Sequence, residues 1–135
     1  MSRGIGGKAC LVLQDDSAVL YQYYCYDLNH ADFRNPDRIM DGHICIKREA
    51  FAEPEIHERI RRLPSGRRRS VTKRVPVPID WSRILDEKWV TVENSRYCRH
   101  RYSWGADRVA WHLMDSILME YQKTGTIPDK VWWDI

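Results

Sequence analysis

The sequence predicts an α+β fold: one domain over residues 1–135, with a mainly antiparallel sheet of four to five strands packed by a long C-terminal helix and two short helices. Three observations carry this. Two strand-like runs near the start flank a reversing turn, an apolar helical pattern persists for five turns near the end, and no regular βαβ alternation lies between them.

The first strands are Lys8 to Gln14 and Ala18 to Leu28, rich in β-branched and aromatic residues and separated by the turn formers Asp15, Asp16 and Ser17. Along the second run Val19, Tyr21, Tyr23 and Cys25 share one face and Leu20, Gln22, Tyr24 and Tyr26 the other, a pattern for a central strand. The stretch Met1 to Gly7 is Gly-rich and expected to be flexible. Asn29 to Gly42 reads as a long loop, and His43 to Lys47 as a short buried strand.

Glu53 to Leu63 has the marks of a short helix: Pro54 at the first position, acids early, arginines late, and Ile56, Ile60 and Leu63 on one stripe. Pro64-Ser65-Gly66 would end it, and residues 64–78 form an exposed basic loop with little to bury. Asp80 can cap a two-turn helix through Trp81, Ile84 and Leu85, followed by a strand from Trp89 to Glu93. Arg96 to Tyr102 alternates as a weaker strand that would pair back across Asn94-Ser95.

The long helix spans Trp104 to Lys123, with Ser103 as cap and Gly125 as stop. Ala106, Val109, Ala110, Leu113, Met114, Ile117 and Tyr121 form its core stripe. Trp104, Trp111 and Leu118 recur every seven residues on a second stripe beside Met119. Either the tail Val131-Trp132-Trp133 folds over that stripe, or it docks on another chain.

Composition narrows the function. No apolar run reaches the ~20 residues of a membrane span, and the first residues lack the apolar centre of a signal peptide, which points to a cytoplasmic protein. The four cysteines, at 10, 25, 45 and 98, show no CxxC and are expected as free thiols. The net charge of +3 is uneven. Eight basic residues and no acid lie between Arg59 and Arg74, leaving 14 basic against 19 acidic residues elsewhere.

Chemistry-bearing patterns are sparse. There is no GxSxG, GxxxxGK[ST] or GxGxxG, and no cofactor is implied. His43-x-Cys45 and Cys98-x-His100 would offer four zinc ligands if they lay on neighbouring strands. Asp41, His43 and His100 are the residues on which a metal-dependent enzyme would be built.

The leading expectation is a binding protein without catalysis. It would dock to another protein, or to a second copy of itself, through Trp104, Trp111, Leu118 and Met119. The alternative partner is nucleic acid, with Arg61, Arg62, Arg67, Arg68, Arg69, Lys73 and Arg74 on its phosphates.

Overall fold

The computed structural model describes residues 3–135. Strand β1 (Ile5–Gln14) turns back into β2 (Ala18–Asp27) across Asp15. The Asp15 carboxylate accepts the amides of Ser17 (2.8 Å) and Ala18 (2.9 Å) and the Ser17 hydroxyl (2.8 Å). These bonds, that to Ala18 foremost, hold its pKa below the ordinary carboxylate value. β2 then pairs with β3 (Gly42–Lys47), and β3 with β6 (Val90–Glu93). On the far side of β1 runs β7 (Lys130–Asp134), so the sheet is antiparallel throughout in the order β6-β3-β2-β1-β7.

Period-two alternation decides the core. Ala9, Val19, Tyr21, Tyr23, Cys25, Ile44 and Ile46 are buried in one cluster with Val109, Ala110, Leu113, Met114 and Ile117 of helix α2 (Arg108–Thr124). Helix and sheet approach closely at Gly7, where a Cβ would stand 2.7 Å from Val109 Cγ1. Leu20, Gln22, Tyr24 and Tyr26 point away from α2 and stay half-exposed. No helix among the described residues is long and apolar enough to cross a membrane.

Four expectations need correction. Residues expected as the helix Glu53 to Leu63 form β4 (Glu55–Arg62), and part of the expected loop 64–78 forms β5 (Arg68–Val75); the two pair antiparallel as a separate ribbon. A helix here would have needed a surface to cover, but Ile56 and Ile60 are 52% and 73% exposed. Pro64 and Ser65 instead make the central positions of a turn closed by Gly66 N–H to Leu63 O at 2.9 Å, with Gly66 at φ +83.

Second, α2 begins after Trp104. Its cap is Asp107, not Ser103: Oδ1 accepts the Val109 amide at 2.9 Å. Asn94 fixes the preceding turn by donating to Gly105 O (2.8 Å) and accepting from Asp107 N (3.0 Å). Gly105, at φ +94, is in a conformation no right-handed helix uses.

Third, Arg96 to Tyr102 is not a strand. Ser95, fully buried, donates its amide to the Tyr23 hydroxyl (2.9 Å) and its hydroxyl to Asp41 (2.5 Å), which turns the chain away from β6. Fourth, Ile5 to Gly7 of the expected flexible start belong to β1, while residues 1 and 2 lie outside the described residues.

The ribbon is clamped to the last turn of α2. Arg74 Nε donates to Gln122 O at 3.0 Å. The Gln122 side chain, 1% exposed, accepts from Val77 N (2.7 Å) and donates to Val77 O (3.0 Å). Tyr121 adds a 2.6 Å bond to Glu53. Before β6, helix α1 (Trp81–Asp86), capped by Asp80, brings Trp81 against Trp111 with ring centroids 4.3 Å apart.

Candidate nucleic-acid interface

The ribbon is built from residues that suit an exposed pleat rather than a core. Every residue of β4 is exposed, as is every residue of β5 before Arg74. Its eight-residue strands reach about 27 Å at the usual rise per residue. The register sets Arg61 opposite Arg69, Arg62 opposite Arg68, and His57 opposite Lys73. Like charges in direct opposition destabilise a strand pair by a few tenths to about 1 kcal/mol each.

Carboxylates do not relieve this. Glu55 is bonded to His57 at 3.0 Å, near the base. Toward the tip, the ribbon carries no acid after Glu58, and among the described residues none of Arg59, Arg61, Arg62, Arg67, Arg68 or Arg69 makes an ion pair. One face of the ribbon is hollowed into a groove of about 430 Å³, bordered by His57, Arg59, Arg61, Val71 and Lys73. The result is a narrow projecting arm with cations on both faces and a cationic groove on one. A two-stranded ribbon fits the ~12 Å major groove of a duplex, and its arginines suit phosphate oxygens.

Of the seven basic residues expected on phosphate, six lie on the ribbon or its turn with free head groups: Arg61, Arg62, Arg67, Arg68, Arg69 and Lys73. Arg74 is different. It is half-buried and spent on the α2 C-terminus, where a cation meets the negative end of the helix dipole. Arg59 and His57 belong to the groove as well. Their part was hidden while 53–63 read as a helix, because a period of 3.6 puts His57 and Arg59 on opposite sides, whereas a strand puts both on one face.

The stripe expected as a docking face is largely dismantled. Leu118 is 2% exposed and sits in the core, since the buried arc of α2 takes in Leu113, Met114, Ile117 and Leu118 together. Trp111 is half-buried, packed by Trp81 and meeting Tyr102 edge-on at 6.3 Å. Trp104 is 56% exposed, stacked on Tyr102 at 5.4 Å and edge-on to Trp111 at 5.4 Å. Met119 is half-buried on α2. The tail does not cover this cluster: β7 joins the sheet edge and places Trp133 flat on His112, with centroids 4.0 Å apart.

The residues considered for zinc stay apart. His43 and Cys45 alternate with the core residues Ile44 and Ile46, so they lie on the sheet face away from α2. Cys98 is buried in the core on the α2 side, where burial and Asp107 push its thiol up to about 12. His100 Nε2 is bonded to Asp27 at 2.9 Å, and His43 faces Glu93 at 3.4 Å. Asp41 is taken by Ser95 and Arg96. Among the described residues no three His, Cys, Asp or Glu side chains converge as metal ligands. Comparison of the chain with protein-family models, curated proteins and solved structures finds no match.

Proposed function

We propose that the chain is a nucleic-acid-binding protein whose β4–β5 ribbon grips the phosphate backbone. The observation that carries this reading is the opposition of arginine to arginine on an exposed ribbon, at positions with no counterion among the described residues. Such pairs cost the free protein stability and become favourable only when an anion lies over them. The ribbon has no aromatic residue for stacking bases, so it reads charge and groove shape rather than sequence.

The test is anisotropy of labelled duplex and single-stranded oligonucleotides across a salt series. Six phosphate contacts give a log–log slope of about −5, hence a loss of roughly 10³-fold between 50 and 200 mM salt. Replacing Arg67, Arg68 and Arg69 by alanine should flatten the slope by about 3. A slope near zero, or one unchanged in the triple variant, overturns the proposal.

A protein partner is the second reading, favoured by the exposure of Trp104 beside Tyr102. Its test is Trp104→Ala: loss of a complex, or of a dimer in light scattering, with the melting temperature unchanged supports it.

A further inference from the structure

Two arginines, Arg3 and Arg108, meet in a second place with no ion pair among the described residues. A cavity of about 390 Å³ opens between the first turn of α2 and the paired ends of β1 and β7, bordered by Arg3, Ile5, His100, Arg108, Val109 and His112. Residues on three separate stretches of chain meet there.

Both imidazoles are held in fixed orientations. Asp27, 2% exposed, bonds His100 Nε2 at 2.9 Å, and its carboxylate is anchored in turn by the Asn29 amide (2.9 Å) and side chain (3.0 Å). Burial alone would raise the Asp27 pKa, but these bonds together outweigh it and keep the carboxyl below its ordinary value. His112 is fixed differently, by stacking on Trp133 with only 3° between the planes.

The arginine on α2 is also set in place. Arg108 donates its amide to His100 O at 2.9 Å and stands one helical turn before His112, so both share a face of α2. Its guanidinium rests over Tyr102 at 5.1 Å, with no ion pair among the described residues. A cation in the first turn of a helix opposes the dipole, which favours an anion there.

The geometry points to a binding site for a phosphate monoester carried on a flat apolar body, of the size of a nucleoside monophosphate. Two guanidinium groups present more donors than a single carboxylate can accept, and they suit the three oxygens of a terminal phosphate. Ile5 and Val109 supply an apolar wall for the body, and the volume lies within the ~300–1,000 Å³ of small-molecule sites. This site is independent of the ribbon. Arg108 and the ribbon anchor at Gln122 are about 21 Å apart along α2 at the standard helical rise.

The test is calorimetric titration with adenosine monophosphate, adenosine and inorganic phosphate at fixed ionic strength, followed by mapping of amide shifts. The nucleotide should saturate one site, with adenosine and phosphate each at least about tenfold weaker. Arg108→Gln and Arg3→Gln should each weaken it about tenfold or more while leaving the melting temperature unchanged. The triple ribbon variant should bind it as the natural protein does. Equal affinity in the Arg108 and Arg3 variants, loss in the ribbon variant instead, or shifts confined to β4 and β5 would each overturn the assignment. An absence of saturable binding would overturn it too.

Discussion

The double replacement Arg68→Glu, Arg69→Glu should make the ribbon firmer and the complex weaker. In the natural chain these residues face Arg62 and Arg61. Each replacement converts a repelling pair into an attracting one, a swing of roughly 0.4–2 kcal/mol per pair from the usual range of cross-strand terms. These side chains are fully exposed, so screening keeps each at the low end, giving about 1 kcal/mol for both at low salt. Two-stranded ribbons open locally more readily than whole domains. The place to read the gain is therefore amide exchange at Arg59 and Val71, a pair that bonds across the ribbon in the alternation set by Leu63 N–H to Arg67 O, which should slow about fivefold in low salt and lose most of that in 0.5 M salt. Binding should move the other way, with the salt slope shallower by at least about 2. Faster exchange together with unchanged nucleic-acid affinity would refute both the electrostatic account of the ribbon and its assignment as the interface.

Three further outcomes are expected. Tyr23→Phe removes the bond to Asp107 Oδ2 (2.7 Å) and leaves the Ser95 amide without its acceptor, so chemical denaturation should show a loss of about 2–3 kcal/mol. Acid should weaken the fold in two stages. Burial holds His112 below the ordinary imidazole value, opposed by Asp115 and reinforced by Arg108, so its contribution is complete above about pH 6.5 and lost as the pH falls through its lower folded value. Asp27, also lowered, contributes above about pH 4 and loses that share only below it. His112→Phe, which keeps a ring on Trp133, should abolish the first stage alone in a pH series of melting curves. Finally, a thiol reagent should modify half-exposed Cys10 and Cys45 well before Cys25 and Cys98, which are buried and whose thiols burial pushes up. Simultaneous labelling of all four in the folded protein would contradict the core assignment.

What was legible in the chain was local. Asp15 and Ser17 sit between two runs of aromatic and β-branched residues, and the β1–β2 hairpin follows from that alone. The end of α2 at Gly125 was equally plain, because only an αL residue at φ +78 closes the helix there. Ile56 and Ile60 misled because a spacing of four satisfies both a helix stripe and one face of a strand. Arg67 to Lys73 carried no apolar signal, so β5 became recognisable only through its partner. Trp104, Trp111 and Leu118 keep a seven-residue spacing, yet Gly105 and the capping Asp107 interrupt the helix that would have aligned them. The Asp27–His100 bond joins residues 73 apart in sequence, a distance over which no periodicity carries information.

The clamp at Arg74 makes the ribbon a lever. Its fulcrum is the final turn of α2, where Arg74 and Val77 hold Gln122 and Tyr121 holds Glu53. Its far end is the turn at Gly66, about 27 Å away at the usual strand rise. A force applied at that tip is resisted by a handful of hydrogen bonds at the base. Small deflections of the arm therefore become torque on the helix that spans the core, and the amides of Lys123 and Thr124 are where capture of a ligand at the tip would first be felt.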